Sequence, residues 1–405
     1  MRVLLSTIGS RGDVQPLVAL ALELKSLDAE VRVCAPPDFG EWMARLGVPF
    51  VPIGPELRSL TAGTTPAIPA RSSPEQLKKM AEDSVATQFA TIAKAAEGCD
   101  AIVGATALQL AAPSIAERMG IPYVFAAYCP RVLPSPRHPP IPLGTRGETS
   151  APATADNAEL WARDAERWNA TWGGALNAHR AALGLEPVSA VRDHVLTSRP
   201  WLAADPTLAP WPGDEGTVFQ TGAWILRDER PLSPQLERFL EAGDAPVYFG
   251  FGSMRAPEGL AAAMIASARA LGRRAIVSRG WAELSVDDAG DDWLAIGEVN
   301  QLALFPRVAA AVHHGGAGTT TAAALSGVPQ VVVPQMYDQH YWAERVDALG
   351  IGVRHAPGAP TAESLRDAIA EALGRDVVER ARGVATVVRR DGALVAARRV
   401  MSLRR

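Results

Sequence analysis

Short apolar runs alternate with helix-forming segments along almost the whole chain, and this alternation constrains the fold more than any other feature. RVLLST at 2–7 has the continuous apolar pattern of a buried strand, and from Leu17 apolar residues recur at three- and four-residue spacing, as in a helix. The segments EVRVCAP, VPFVPIG, AIVGAT and IPYVFAAY continue the series of strands, with helical segments among them. Continuous apolar strands that alternate with helices predict a parallel sheet covered by helices on both faces.

The same alternation restarts after a region rich in proline, glycine and acidic residues, with VYFGFGS, RAIVSRG, WLAIGE, AAVHHGG and VPQVVVP as the later strands. A chain of 405 residues has room for two domains of about 200 residues each. We therefore predict two doubly wound α/β domains that face a central cleft, where such sheets bind their ligands. The predicted parts are an N-terminal domain over 1–205, an interdomain region over 206–234, a C-terminal domain over 217–385, and a C-terminal helix over 386–405 that packs back on the first domain.

Charge and composition exclude several classes of function. A net charge of -4 provides no basic surface of the kind that nucleic acids require. No apolar run reaches the length of about 18 residues that a membrane span needs, and the N-terminus begins with a strand pattern instead of a secretion signal. Cys34, Cys99 and Cys129 lie far apart, without the spacing of a zinc site or a disulfide framework. We expect a cytoplasmic monomer with three reduced thiols and no nucleic-acid or membrane partner.

The stretch HHGGAGTT at 313–320 joins a predicted strand to a helix that is expected to begin at about Thr319. Glycines let the backbone approach a ligand closely, and the free N–H groups at a helix start bind anions. Thr319 and Thr320 could cap the helix and bond a phosphate oxygen, and His313 could donate a further hydrogen bond. No Gly-Lys-Ser/Thr follows, so the stretch is not a P-loop. It favours a diphosphate site; a glycine-rich turn that binds nothing is the alternative.

Two further polar segments lie where predicted strands end. Asp338-Gln339 follows the strand after the glycine turn and could bind sugar hydroxyls, or it could be a helix N-cap. GSRGDVQP at 9–16 follows the first strand and contains Arg11-Gly12-Asp13, a tripeptide known from cell adhesion. The expected cytoplasmic location argues against an adhesion role.

Together these segments resemble a known family. HHGGAGTT, GVPQVVVPQMYDQ and GSRGDVQPLVALA, with FGS at 251–253, SRGW at 278–281 and GEVN at 297–300, are similar to the GT-B glycosyltransferases that use nucleotide sugars. Within them, the chain looks like the actinobacterial enzymes that decorate glycopeptide antibiotics of the vancomycin and teicoplanin type. The resemblance extends over essentially the whole chain. It implies a GT-B fold of two Rossmann-like domains, with the acceptor held by the first and the donor by the second.

The resemblance also implies a set of donor-binding residues. They are Ser10, Arg11, Gly12, Ser253, Trp281, Val299, His313, Gly315, Gly316, Ala317, Gly318, Thr319, Asp338 and Gln339. Ser253 could instead be a plain N-cap and Trp281 a core residue. Val299 lies where the family holds the nucleobase through main-chain bonds. Many relatives carry Trp-x-Pro-Gln in that neighbourhood, whereas this chain has Glu298-Val299-Asn300-Gln301, which leaves UDP and TDP donors both open.

Asp13 is the candidate general base, because it follows the first strand and would face the cleft. Taking a proton from an acceptor hydroxyl would support an in-line displacement with inversion at the anomeric carbon. Its alternative role is to cap the helix at Leu17. Many relatives have a histidine base in this loop, and this chain has none there. Ser10 could position the acceptor, and Arg11 could pair with the donor phosphates across the cleft.

The acceptor side is assigned to Ser10, Pro130 and His138. The proline-rich loop at 129–144 and the loop at 56–73 would line it with an apolar rim that suits a rigid aromatic peptide, although the first of these loops could also be a linker. No Asp-x-Asp motif ends a strand, and the acidic pairs at 287–288 and 291–292 have the pattern of a solvated turn. We therefore expect neither a metal nor a cofactor.

The predicted function is inverting transfer of a hexose, glucose or N-acetylglucosamine by preference, from a UDP- or TDP-sugar to a hydroxyl of a glycopeptide aglycone. The alternatives are a GT-B-fold nucleotide-sugar epimerase and a glycosyltransferase for another aromatic or polyketide product. A nicotinamide oxidoreductase is disfavoured because the first turn, Gly9-Ser10-Arg11-Gly12, lacks the pattern G-x-G-x-x-G. A non-catalytic nucleotide-binding protein is a further alternative.

Overall fold

Two parallel sheets organise the chain, as the sequence predicts. The computed structural model describes residues 1–58, 74–106, 109–141, 156–214, 216–252, 259–281 and 290–403. The first sheet contains β1 Arg2–Thr7, β2 Glu30–Ala35, β3 Phe50–Pro52, β4 Ala101–Ala105, β5 Tyr123–Ala127, β6 Trp201–Leu202 and β7 Phe219–Gln220. The second contains β8 Val247–Gly250, β9 Ala275–Ser278, β10 Trp293–Ile296, β11 Ala310–His313, β12 Gln330–Val332 and β13 Gly352–Arg354.

The strand orders identify both sheets as doubly wound. The first runs β3-β2-β1-β4-β5-β6-β7 and the second runs β10-β9-β8-β11-β12-β13. The direction of winding therefore reverses between β1 and β4 in one sheet and between β8 and β11 in the other. Loops that leave the carboxyl ends of strands at such a reversal diverge, and the crevice between them is where ligands bind. Both candidate loops of the sequence, after β1 and after β11, lie at these two points.

Helices cover the sheets. They are α1 Arg11–Ser26, α2 Gly40–Arg45, α3 Pro74–Ala95, α4 Ala112–Met119, α5 Asn157–Ala182, α6 Val191–Leu196, α7 Pro234–Glu241, α8 Leu260–Ala270, α9 Gln301–Leu304, α10 Ala317–Leu325, α11 Gln339–Ala348, α12 Ala362–Ala372, α13 Arg375–Ala385 and α14 Gly392–Met401. Short 3₁₀ turns lie at Pro37–Phe39, Pro130–Val132 and Phe305–Arg307.

Strand β1 is buried on both faces, which explains its uninterrupted apolar sequence. Leu4 belongs to one core cluster, while its neighbours Val3 and Leu5 belong to another on the opposite side. Successive side chains of a strand point to opposite faces, so a strand between two layers of helices is apolar towards both, as at Val3, Leu4 and Leu5. Cys34, Cys99 and Cys129 are buried free thiols, consistent with the expectation of reduced cysteines.

The region between the domains differs from the prediction in one respect. Strand β7 at Phe219–Gln220 pairs with β6 at the edge of the first sheet, so the predicted start of the second domain at 217 is too early. The last helix, α14, returns to the first domain and packs along α1. Gly392 at its start lies so close to the chain at 222–223 that a Cβ there would be 2.4 Å from the carbonyl oxygen of Ala223.

Candidate active site

The carboxyl ends of the two sheets face one cavity of about 1460 Å³, lined by residues of both domains and called the cleft from here on. From the first domain the cleft is lined by residues that include Ser10, Gly12, Asp13, Gln15, Thr106, Tyr128 and Arg131. From the second it is lined by residues that include His314, Gly316, Ala317, Gly318, Thr319, Asp338 and Gln339. The first turn of α1 and the first turn of α10 thus open into the same space.

Asp13 lies in the first turn of α1, which begins at Arg11 and not at Leu17 as the sequence predicts. Its Oδ2 accepts hydrogen bonds from the backbone nitrogen of Ser10 at 2.6 Å and from the Ser10 hydroxyl at 3.2 Å. Asp13 therefore caps the helix with this oxygen, and it also lines the cleft. Burial raises the pKa of Asp13 to about 6, the carboxyl of Asp338 adds to the rise, and the Ser10 bonds oppose it.

Asp338 approaches from the second domain and lies at the start of α11. Its side chain makes no helix-capping bond; its Oδ2 accepts from the indole nitrogen of Trp342 at 3.0 Å. Burial raises the pKa of Asp338 to about 6 as well. The neighbouring Tyr337 has a positive φ of 51°, a strained conformation for a bulky residue, and its side chain is 54% exposed. The loop thus holds a carboxyl group in the cleft opposite Asp13.

The glycine turn after β11 presents the start of a helix to the cleft. Helix α10 begins at Ala317, two residues earlier than expected, and Gly316 is its N-cap residue. The N–H groups of residues 317–319 precede the first intrahelical bond, from Thr320 to Gly316. These donors and the helix dipole make a site for an anion. Gly316, Ala317, Gly318 and Thr319 all line the cleft, where the sequence placed them.

Three other residues of the turn have structural roles. His313 is fully buried, its Nε2 bonds to the Gln330 side chain at 2.9 Å, and its Nδ1 accepts from the nitrogen of Gly315 at 3.0 Å. The predicted phosphate contact of His313 is therefore wrong, because both ring nitrogens are engaged inside the fold. Gly315 itself is buried with φ +91°, and the Thr320 hydroxyl donates back to the carbonyl of Gly316 at 3.0 Å instead of reaching a ligand.

His314 is the residue of this turn that sequence reasoning missed. Its ring lies in the cleft wall between Gly252 and Gly316. A Cβ on Gly252 would be 3.1 Å from the Cε1 of His314, and a Cβ on Gly316 would be 2.8 Å from its Nε2. Burial lowers the pKa of His314 to about 4, so the ring is neutral at pH 7. Its Nδ1 has no hydrogen-bond partner among the described residues. The doublet His313-His314 was the available signal, and alternation along the strand decides which ring faces the cleft.

Arg11 does cross the cleft, but to another partner than predicted. Its Nη1 lies 3.3 Å from the carboxylate of Glu298, its Nε donates to Gln15 at 2.9 Å, and its Cζ lies 3.5 Å from the ring centre of Trp42. Arg11 thus pairs with Glu298 here, and its pairing with donor phosphates stays a prediction. Burial lowers the pKa of Arg11, and the charge of Glu298 opposes that change.

The remaining donor-binding predictions fall into three groups. Val299 and Trp281 line the cleft, and the Trp281 ring lies 6.1 Å from that of Phe39 in the first domain. Gln339 is buried, and its Oε1 accepts from the backbone nitrogens of residues 335 and 336 at 2.8 and 3.2 Å, so this side chain shapes the loop. Ser253 lies outside the described residues.

Two acceptor-side predictions are wrong. Pro130 and His138 are buried and do not belong to the described cleft lining. The His138 ring packs edge-on against Trp161 and Trp211, at 5.9 and 6.2 Å, and its Nδ1 bonds to the carbonyl of Pro139. Both residues therefore support the wall from behind. The acceptor loops at 59–73 and 142–144 lie outside the described residues.

The structure also bears on metal sites and membrane spans. Within the described ranges, no group of three or more His, Cys, Asp and Glu side chains is arranged to hold a metal ion. The helices in that part of the chain are too short or too polar to span a membrane.

Comparison with known proteins decides the family. Residues 3–135 match the glycosyltransferase family 28 N-terminal domain, and residues 290–393 match the erythromycin biosynthesis protein CIII-like C-terminal domain. A vancomycin aglycone glucosyltransferase of Amycolatopsis orientalis is 50% identical over 98% of this chain and 96% of its own length. The chain belongs to the GT-B glycosyltransferases of the glycopeptide group.

Another relative and a solved structure are also similar to this glycosyltransferase. A dTDP-epi-vancosaminyltransferase of Amycolatopsis orientalis is 44% identical over 94% of this chain and 92% of its own length. The crystal structure of the kitacinnamycin glycotransferase superposes with a TM-score of 0.74 over 99% of this glycosyltransferase and 98% of that chain, at 22% identity. That structure supports the fold. Of the two family matches, the one at 3–135 contains strands β2 to β5 and nearly all of β1, and the one at 290–393 contains strands β10 to β13 of the second sheet.

Proposed function

We propose that this glycosyltransferase moves a hexose from a nucleoside-diphosphate sugar to a hydroxyl of a glycopeptide antibiotic aglycone, with inversion at the anomeric carbon. One observation carries the proposal: Asp13 of the first domain and Asp338 of the second both line the cleft, and the charge of Asp338 contributes to the raised pKa of Asp13. In this proposal Asp13 is the base, Asp338 binds the sugar, and the two substrates meet between them.

The start of α10 would hold the leaving group. In transfer, the bond between the anomeric carbon and the diphosphate oxygen breaks, and the diphosphate keeps the electron pair. The N–H groups of Ala317, Gly318 and Thr319 and the dipole of α10 would stabilise that charge without rearranging. His314, neutral and at the edge of the same turn, would donate its ring N–H to a phosphate oxygen there.

Asp13 would take the proton of the acceptor hydroxyl as its oxygen bonds to the anomeric carbon. A carboxyl with a pKa of about 6 is ionised at pH 7 and is a stronger base than an unperturbed aspartate. Both Ser10 bonds end on Oδ2, and this arrangement would fix the carboxylate while Oδ1 faces the hydroxyl. Capping and catalysis are therefore compatible roles for one side chain.

The acceptor and the donor are inferred from relatives and from the cleft. The relative at 50% identity acts, by its name, on vancomycin aglycone with a glucosyl group, while the relative at 44% uses a dTDP-sugar. The carboxyl of Asp338 in the cleft suits a donor with a full set of hydroxyls, because each hydroxyl can donate to it. UDP-glucose or UDP-N-acetylglucosamine is the proposed donor.

A donor-by-acceptor matrix tests the proposal. Vancomycin aglycone is incubated with UDP-glucose, UDP-N-acetylglucosamine, TDP-glucose or a TDP-deoxysugar, and products are identified by mass spectrometry. The expected product carries one added hexose. Turnover only with the TDP-deoxysugar would refute the donor assignment, and conversion of the donor without acceptor would indicate an epimerase.

Asp13→Asn is the matched variant for the catalytic step. The asparagine amide has the shape of the carboxyl group and an oxygen that can accept the two hydrogen bonds from Ser10. It cannot take a proton from the substrate hydroxyl. We expect transfer to fall by about 10²- to 10⁴-fold with UDP affinity unchanged by calorimetry. Transfer within a few-fold of wild type would exclude Asp13 as the base.

A further inference from the structure

One face of α5 lines the first-domain side of the cleft. The lining residues on it are Trp161, Asp164, Arg167, Trp168, Thr171 and Trp172. They recur at three- and four-residue spacing, so they form one stripe along the helix. We infer that this stripe, called the tryptophan platform from here on, binds the aromatic rings of the acceptor and selects acceptors with several rings. The inference rests on the proposed function, and it names the residues that would bind the acceptor.

Two polar sites of the platform are paired within the protein, the indole nitrogen of Trp161 and the carboxylate of Asp164. The indole nitrogen of Trp161 donates to the carbonyl of His138 at 2.8 Å. Asp164 is buried between Arg167, which donates to it, and Arg192 at 3.5 Å. At these two sites a ligand meets polar atoms that are already paired, and the half-buried rings of Trp168 and Trp172 offer it apolar surface. Flat rings favour stacked or edge-on partners, which are other aromatic rings.

The length of the platform sets the size of its ligand. Trp161 and Trp172 are eleven positions apart, which at 1.5 Å per residue is about 16 Å along the helix. A single phenol or sugar ring covers only a part of that distance. The cleft that contains the platform also contains Asp13, so a multi-ring acceptor could lie along α5 and still present one hydroxyl to the base.

A purely structural role for these tryptophans is the competing explanation. Trp168 and Trp172 are half-buried and pack with one side against the core beneath α5. Trp211 offers a matched control, because it too is half-buried and packs against that core, but it lies outside the described cleft lining. If the tryptophans only support the fold, substitutions at all three positions should act alike.

The test measures binding of two multi-ring aglycones and one single-ring phenol to Trp168→Ala, Trp172→Ala, Trp211→Ala and the wild type, by calorimetry. The aglycones are vancomycin aglycone and a tetracyclic polyketide aglycone. We expect the first two variants to lose about tenfold or more in affinity for a multi-ring aglycone while UDP affinity is unchanged. Trp211→Ala should bind as the wild type does, and the weaker binding of the single-ring phenol should not respond to any of the changes.

Trp168→Phe and Trp172→Phe cover the case in which the alanine variants do not fold. They keep a smaller ring in the core, so the affinity for a multi-ring aglycone should fall by about threefold, less than in the alanine variants. Binding of the tetracyclic aglycone alone, sensitive to Trp168, would refute the glycopeptide acceptor and support the platform. Three results would overturn the platform. They are unchanged affinities in the folded variants, an equal loss of affinity in Trp211→Ala, and no binding of either aglycone by the wild type.

Discussion

Arg11 and Glu298 join the two domains across the cleft, with 3.3 Å between Nη1 of the arginine and a carboxylate oxygen of the glutamate. Arg11 lies on α1, and Glu298 follows β10 near the predicted nucleobase position. The guanidinium also stacks on Trp42 with its Cζ 3.5 Å from the ring centre. Glu298 is 55% exposed, whereas Arg11 is mostly covered. The position of Arg11 therefore depends mainly on its stacking against Trp42, and the ion pair only orients the guanidinium towards the second domain.

A double-mutant cycle on this pair should show a small, salt-sensitive coupling. For Arg11→Gln and Glu298→Gln we expect a coupling of about 0.2–1 kcal/mol in the free energy of unfolding, because water screens a partly exposed pair. It should shrink in 0.5 M NaCl. Arg11→Gln alone should cost more than Glu298→Gln alone, since it also loses the contact with Trp42. Urea unfolding at low and high salt measures all four proteins, and a salt-independent coupling would contradict the prediction.

Gly9 is required because the carboxyl group of Asp13 occupies the space next to it. A Cβ at position 9 would lie 2.2 Å from Oδ2 of Asp13 and 2.4 Å from its Cγ. Gly9→Ala must therefore displace the proposed base. We expect kcat to fall about 10²-fold, as for a misplacement of about 1 Å, with UDP affinity retained.

Combining Gly9→Ala with Asp13→Asn tests whether the loss acts through Asp13. If it does, the double variant is no slower than Asp13→Asn alone, since the base is already absent. Gly174→Ala, in α5 and outside the described cleft lining, is the control for folding, because a Cβ there would meet no heavy atom within 4 Å. Losses that multiply in the double variant would show that Gly9 acts by another route.

The raised pKa values of Asp13 and Asp338 predict an unusual dependence of stability on pH. Both values are about 6 in the folded protein against an ordinary value of 3.8. Between these pH values the folded state binds more protons than the unfolded state, so these groups lower the free energy of unfolding as pH rises from about 4 to 6. Asp338→Asn should thus stabilise the protein by about 1–3 kcal/mol at pH 7 and by nothing near pH 4. An equal effect at both pH values would refute this.

Activity should have the opposite dependence on pH. The proposed base must be ionised, so kcat/KM should fall as pH decreases below about 6. Because the two carboxyls interact, the measured value belongs to the pair and not to Asp13 alone. In Asp338→Asn the apparent pKa should shift down, since the charge that raises the Asp13 pKa is gone. A pH–rate profile of that variant, measured at saturating donor, checks the direction.

The sequence was sufficient for the fold and for the backbone part of the site. Alternation of apolar strands with helices predicted two parallel sheets, and the loops after β1 and β11 were expected to meet in a cleft, which they do. The glycine turn predicted a helix start at about 319, two residues after the observed start at Ala317. These features follow from local pattern and chain geometry, so one sequence is enough to predict them.

Side-chain direction was harder to predict. Adjacent residues at a strand end point to opposite faces, so choosing His313 over His314 reversed the assignment of core and cleft. The tryptophans of α5 gave no sequence signal for binding, because a helix with the same spacing could bury that stripe entirely. His138 was placed in the acceptor rim from its loop, whereas the nearby Trp161 and Trp211 enclose it.

The two adjacent histidines should respond differently to substitution. His313→Ala leaves a cavity and removes a partner from Gln330 and from the nitrogen of Gly315, which should cost about 2–4 kcal/mol of stability. His314→Ala, at the cleft wall, should cost less stability but weaken UDP binding. Thermal unfolding and calorimetry of both variants provide the comparison. A UDP-affinity loss confined to a fully stable His313→Ala would restore the original prediction for that residue.

A substitution at Gly318 tests donor binding without disturbing the fold. It lies exposed in the first turn of α10, and a Cβ there would meet no heavy atom within 4 Å. Gly318→Ala should therefore preserve the fold and add about 0.5–1 kcal/mol of stability, because alanine favours a helix over glycine. The new methyl group would occupy the space that a diphosphate needs, so UDP affinity should fall about tenfold. Gly383 lies on α13 and is equally open. Gly383→Ala should therefore raise the stability by a similar amount while the UDP affinity stays at the wild-type value. Unchanged affinity in Gly318→Ala would mean that the diphosphate does not approach this turn.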